Sequence, residues 1–209
     1  MVRTYRSELR QRQAVDTRRR VVEAAVEVFG EHGYQAATFA QIAERAGVSV
    51  ETVRKHGPKT ALLWAAVEVA SFGVEGDLEI EDTERGQAML AARDPEEFAR
   101  VVGETMLALN EPVAGTWTAA TAAAHGDPEV ADQLAQRLAR IRGQVENMLH
   151  FVAYRGWLRD DVPFDDLVET TCVLTSVETY VRYVRLDGKS PARYRDFVAR
   201  ALRDTVLAR

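Results

Sequence analysis

The sequence predicts an all-α protein, with a small helical head that contains a helix-turn-helix and a larger helical bundle behind it. Three observations carry that prediction. Apolar residues recur at intervals of three and four through each long segment, the spacing of one buried helix face. Glycine, proline and short capping side chains stand where such segments begin and end. No pair of runs alternates apolar and polar residues as paired strands require, and no repeat or low-complexity tract is present.

Residues 1–16 are polar and lack an apolar stripe, so they read as a flexible arm or a frayed helical extension. From Thr17 onward, Val21, Val22, Ala25, Val26 and Phe29 define a first helix that Gly33 is expected to stop at about His32. Thr38 is placed to cap a short helix bearing Ile42, Ala43 and Ala46, and Gly47 to end it. Ser49 caps a third helix from Val50 to Lys55, which Gly57 and Pro58 break. Pro58 suits the first turn of a fourth helix with Leu62, Leu63, Ala66, Val67 and Ala70. The charged stretch 74–93, interrupted by Gly76 and Gly86, sets no firm boundaries.

Asp94, Pro95, Glu96 and Glu97 make a strong helix start, and that helix is expected to reach about Leu109. Pro112 is expected to open another, through Trp117 to about Ala124. The same start signal recurs at Gly126, Asp127, Pro128 and Glu129. It begins a helix to about Tyr154 whose Leu134, Leu138, Ile141, Val145, Met148 and Val152 form a single packed seam. After a turn at 156–163, residues 164–186 read as one helix, apolar through Leu167, Val168, Cys172, Leu174, Val177 and Val181. Gly188, Ser190 and Pro191 separate it from a last helix with Tyr194, Phe197, Val198, Ala201, Leu202 and Val206.

The net charge of −5 would argue against nucleic acid if it were spread evenly. It is not: residues 1–60 carry a net +4 and the remainder −9. A basic head on an acidic body concentrates attraction for phosphate at one end. Cys172, the single cysteine, excludes an internal disulfide framework and a multi-cysteine zinc site, and suits a reducing cytoplasm. No stretch approaches the roughly 18 apolar residues of a membrane span, and no leader pattern is evident. His32, His56, His125 and His150 are scattered without metal-ligand spacing, and neither a phosphate loop nor a nucleophile elbow occurs. Cys172 lies in an apolar helix, where an inert thiol is the default. The chain therefore reads as neither an enzyme nor a metal- or cofactor-dependent protein.

The constellation with chemical content is helix, glycine turn, helix. Ile42, Ala43, Ala46, Val48 and Val53 can hold two short helices at a steep angle and so present the second outward. Ser49, Thr52, Arg54, Lys55 and His56 then offer hydroxyl and cationic donors of the kind that contact phosphates and base edges in a major groove. Val21 to Phe29, Gly33 and Tyr34, Thr38, Ile42 and Ala43, Ala46 to Ser49, Thr52, Lys59, Leu62 and Leu63 together resemble the N-terminal signature of TetR family regulators. The resemblance implies a helix-turn-helix DNA-binding domain at 17–65 behind a basic arm at 1–16, and a ligand-binding and dimerisation bundle at 66–209. It implies a homodimer, a repressor, that binds a palindromic operator in double-stranded DNA and leaves it when a small-molecule effector enters the bundle. DNA contacts are expected from Thr38, Ser49, Val50, Glu51, Thr52, Arg54, Lys55, His56 and Lys59. The segment Arg54 to Lys59 is one residue shorter than the family pattern and has arginine for its tyrosine, so His56 reads either as a phosphate contact or as a packing residue. The competing reading is a helical ligand-carrying or protein-interaction module whose helix-turn-helix no longer binds DNA.

In the bundle, Met106, Trp117, Met148, Phe151 and Tyr154 could line a ligand cavity, or serve the core alone. Thr171, Thr175, Glu178 and Thr179 are polar groups within an apolar helix and need partners in a ligand, water or a second subunit. The resemblance further implies that the last two long helices pair with their mates in a four-helix bundle, with Val177, Val181, Phe197, Ala201 and Leu202 at the interface.

Overall fold

The structure, a computed structural model, describes the backbone of residues 2–76 and 78–208 and the side chains of residues 11–76 and 78–208. The chain divides into two compact units, residues 1–76 with 115–131, and 77–114 with 132–209. The expected domain boundary at 65/66 thus falls inside a helix, and the first unit takes in a stretch from the middle of the chain.

In the first unit, Val21, Val22, Ala25, Val28 and Phe29 form the buried face of α1 (Val2–Ala36). As the sequence predicts, Gly33 interrupts this helix after His32: its φ of 72° and ψ of 171° are non-helical, a positive φ that suits glycine, and a separate short turn to Ala36 follows. Helices α2 (Phe39–Ala46) and α4 (Lys59–Phe72) pack on α1, and the short α3 (Val50–Lys55) packs on α2. Ile42, Val53, Leu62 and Leu63 are fully buried between them. Each such side chain contributes about 1.5–3 kcal/mol by leaving water, so a head of this size is held by a handful of residues.

The second unit has its own core: Phe98 and Val102 of α6 (Pro95–Ala124), Leu149 and Val152 of α7 (Pro128–Tyr154), Leu167 and Val168 of α8 (Phe164–Thr175), and Tyr194 and Val198 of α10 (Pro191–Thr205). Three expectations are corrected here. Pro112 does not open a helix but lies inside α6. A proline there removes one backbone donor and crowds the preceding turn at a cost of about 3 kcal/mol. Leu109, Val113 and Ala114, all buried beside it, outweigh that local penalty. Residues 164–186 are not one helix. Ser176 adopts an extended conformation (φ −65°, ψ 155°) and ends α8, and its hydroxyl accepts from the Thr179 amide to start α9 (Val177–Tyr180), which runs on into a wide π-type turn at Val181–Leu186. Finally, the α7 seam is packed only toward its C-terminal end. Met148 and Val152 are buried, whereas Leu138 and Ile141 are 47% and 41% exposed. Periodicity tells which residues share a face, but among the described residues none buries Leu138 or Ile141.

The charged stretch forms a 3-10 turn (Ile80–Asp82) and α5 (Glu84–Leu90). Asp94 and Asp127 act as the sequence suggests: each carboxylate accepts from amides of the first helical turn, Glu97 N at 2.8 Å and Glu129 N at 3.1 Å. Among the described residues extended pairing is limited to one bridge, Leu158 with Leu207, and no helix is long and apolar enough to cross a membrane.

Candidate nucleic-acid interface

The turn between α2 and α3 is built by local chemistry. Thr38 accepts from the Gln41 amide while the Gln41 side chain accepts from the Thr38 amide, a reciprocal cap that satisfies two free donors at the start of α2. Gly47, at φ 65° and ψ 40°, ends α2 with its amide donating to Ala43 and Glu44. The Val48 amide donates to the Ala43 carbonyl at 3.0 Å, closing the turn. Ser49 then caps α3, accepting from the Thr52 amide at 3.1 Å and sharing a hydrogen bond with the Thr52 hydroxyl at 2.9 Å. With Val53 fully buried as the anchor of α3, Glu51, Arg54 and Lys55 point to solvent, while Val50 and Thr52 are half-buried. Since α3 has only six residues, it cannot hold itself together alone. Ser49→Ala is therefore expected to lower thermal stability by about 1 kcal/mol, read as a lower Tm of the full chain, whereas Ser49→Asp should restore it.

The exposed charges differ in their freedom. Lys55 pairs with Glu51 at 2.9 Å across one helical turn, a solvated pair that DNA can readily exchange. Lys59 sits with its Nζ 4.6 Å from the centre of the Tyr34 ring and donates to the Gln35 carbonyl at 3.3 Å; burial holds its ammonium below the usual lysine range. Of the two readings of His56, its half-buried position agrees better with packing. Burial, with a smaller push from the Arg18 cation, lowers its pKa against a weaker opposing effect of Glu75, so the ring is biased toward its neutral form. Thr38 remains exposed at the start of α2. Thr38, Ser49, Val50, Glu51, Thr52, Arg54, Lys55, His56 and Lys59 thus all lie within α3 or at the helix ends around it. Gln41 and Tyr34, which fix Thr38 and Lys59, were not among the expected site residues, although the spacing of Thr38 and Gln41 is a visible capping signal.

The expected effector residues are not brought together as a group. Met106 and Phe151 are half-buried and Met148 is buried in the second unit, but Tyr154 is 89% exposed. Two residues past Val152, the last buried residue of α7, it lies about 200° round the helix and faces solvent. Trp117 is buried in the first unit and so belongs to a different core. The hydroxyls of Thr171, Thr175 and Thr179 do not wait for a ligand: they donate to the carbonyls of Leu167, Thr171 and Val173 at 2.8, 2.8 and 2.6 Å. Glu178 is exposed. The residue that sequence reasoning missed is Asn110, a buried amide at the break between α8 and α9. Of the expected interface residues, Val177, Val181, Phe197 and Ala201 are half-buried, and Phe197 stacks on Tyr183 at 5.0 Å. Leu202 is 3% exposed; its side chain is used by the core of its own unit and offers no surface to a partner.

Residues 21–66 match the family model of bacterial regulatory proteins, tetR family. No curated protein sequence matches the chain. Among solved structures, a choline-bound protein of Saccharomonospora viridis is similar with a TM-score of 0.70 at 20% identity, over 92% of this chain and 98% of that one. A TetR transcriptional regulator of Chloroflexus aurantiacus is similar with a TM-score of 0.69 at 16% identity, over 95% and 100%. The fatty acid degradation regulator FadR of Bacillus halodurans is similar with a TM-score of 0.68 at 18% identity, over 89% and 94%. Residues 21–66 thus carry the helix-turn-helix domain of the tetR family, and along nearly all of its length the chain has the fold of these solved structures.

Proposed function

We propose that the protein is a ligand-responsive transcriptional regulator, a cytoplasmic repressor that binds a palindromic operator as a homodimer and is released by a small-molecule effector. The observation that carries this reading is the presentation of α3. A buried Val53 and two capped turns hold a short helix rigidly, with Glu51, Arg54 and Lys55 outward and Thr38 and Lys59 at its flanks. Such a helix fits the major groove, its charged side chains reaching phosphates and base edges. Residues 17–65 supply this function and 66–209 the response. The half-buried side chains Val177 and Val181, after the break at Ser176, and Phe197 and Ala201 of α10 are the surface for a second subunit. Met106, Met148 and Phe151, which belong to the core of the second unit, are the side chains from which an effector site can be built. The choline-bound relative supports a small molecule as the signal. The same fold gives no reason to assign catalysis.

The test begins with a duplex selected by the full-length protein from a random-sequence pool. Arg54→Ala is expected to bind that duplex about tenfold more weakly and to reduce the slope of log affinity against log salt by about one. Failure of the wild-type dimer to enrich any duplex at low salt would favour the interaction-module reading; an unchanged slope would show that Arg54 does not meet phosphate.

A further inference from the structure

One guanidinium joins three separate parts of the first unit. Arg18, midway along α1, makes a two-pronged pair with Glu75, with Nε at 3.0 and 3.1 Å and Nη2 at 2.7 Å from the carboxylate oxygens. Its remaining arm, Nη1, donates to the backbone carbonyl of His56 at 2.6 Å. His56 is the residue that ends α3, so this carbonyl is one of those that a helix leaves without an internal partner. Gly57, at φ 125°, follows and adds no stiffness of its own. Glu75 is held in turn: the segment after α4 folds back, and the Gly76 amide donates to Glu68 of α4 at 3.0 Å. The second unit begins in the sequence directly after Gly76.

We propose that Arg18 is a positioning residue for operator binding, gripping the His56 carbonyl to set the C-terminal end of α3, and that Glu75 is the anchor that aims it. The proposal rests on the reading of α3 as the DNA-contacting helix. A direct phosphate contact is the obvious alternative for an arginine in a basic head, and the geometry opposes it. The charge of Arg18 is already matched by a two-pronged carboxylate, and about a quarter of its side chain is exposed. Its fork is used by the protein itself. Because α3 has six residues and a flexible glycine after it, an external brace at its end governs the angle at which Arg54 and Lys55 leave the surface. Any shift of the chain at 73–76 is felt at His56 through two side chains.

The two roles predict opposite signs for one substitution. Glu75→Gln removes a negative charge from the head, so if Glu75 acts only through charge the duplex binds more tightly. If Glu75 aims Arg18, Glu75→Gln binds about threefold to tenfold more weakly despite the gain in positive charge. Arg18→Ala is then expected to bind about tenfold more weakly with its salt slope unchanged, because no phosphate contact is lost. Arg18→Lys keeps the charge but not the fork and does not rescue. The double variant Arg18→Ala with Glu75→Gln should be no weaker than Arg18→Ala alone, since both act through one contact. All are measured on full-length protein with the pool-selected duplex, Glu75→Gln serving as the variant least able to disturb folding. Tighter or unchanged binding by Glu75→Gln, or a salt slope reduced by about one in Arg18→Ala, overturns the proposal. A wild-type protein that enriches no duplex overturns the DNA-binding reading itself, and the positioning role falls with it.

Discussion

Replacing Asn110 by alanine is expected to destabilise the second unit by about 3 kcal/mol, read as a large fall in the midpoint of thermal or urea unfolding of the full chain. The side chain is 5% exposed and its amide nitrogen faces three acceptors: the Thr175 carbonyl at 2.9 Å, the Ser176 carbonyl at 3.3 Å and the Tyr194 hydroxyl at 2.8 Å. Two of those acceptors exist because α8 breaks at Ser176, and a break inside a helical bundle frees carbonyls that would otherwise accept from the next turn. Alanine leaves a carbonyl at the break and a fully buried phenol short of a donor, and it opens a small void as well. The two contributions separate by a second substitution. Asn110→Leu refills the volume but supplies no donor; if lost hydrogen bonds dominate, it is as unstable as Asn110→Ala, and if the void dominates it recovers most of the loss. Tyr194→Phe removes only one acceptor and is expected to cost about 1 kcal/mol. Burial already pushes the Tyr194 phenol up to about 12, so the hydroxyl stays protonated through the neutral range and the contrast does not depend on buffer pH. A loss below about 1 kcal/mol in Asn110→Ala would mean that water takes over the amide's role and that the break needs no dedicated residue.

Asn110 also marks the limit of what the sequence discloses. The caps at Thr38, Ser49, Asp94, Asp127 and Ser190 are readable because each joins a side chain to an amide two or three residues away. The α2–α3 turn is readable for the same reason, and with it the whole candidate interface up to Lys55. Asn110 bonds to residues 65 to 84 positions away, and Arg18 to residues 38 and 57 positions away. No local pattern announces such partners. Pro112 misleads in the opposite sense, since a local rule that is sound for an isolated helix yields to the burial of Leu109, Val113 and Ala114. The threonines of α8 mislead similarly. They look like polar groups in want of a partner, and their own helix supplies one. The site is therefore legible where its geometry is local, at the head, and illegible in the bundle, where an effector site depends on which long-range neighbours each helix meets.

Gly103 should reverse the usual rule for glycine in a helix. In the interior of α6 a glycine costs about 1 kcal/mol relative to alanine, so propensity alone predicts that Gly103→Ala stabilises the protein. The neighbouring helix decides otherwise. A Cβ at this position would lie 2.6 Å from the backbone carbonyl oxygen of Arg195 and 3.4 Å from the Cβ of Ala199, both on α10. The nearer contact is with backbone, which cannot rotate aside as a side chain can, so α10 as a whole must move away from α6. Overpacking of this kind costs about 1–3 kcal/mol for a single methyl and more for a larger group. The expected result is a net loss of about 1–2 kcal/mol in Gly103→Ala and more than 3 kcal/mol in Gly103→Leu, measured as successive falls in Tm. Because α10 carries Phe197 and Ala201, proposed here as part of the dimer surface, the same displacement should weaken self-association, and sedimentation of Gly103→Ala should show more monomer than wild type at equal concentration. A stabilised Gly103→Ala would mean that α6 and α10 approach less closely than this geometry has them, and that the small residue at 103 reflects no constraint of packing.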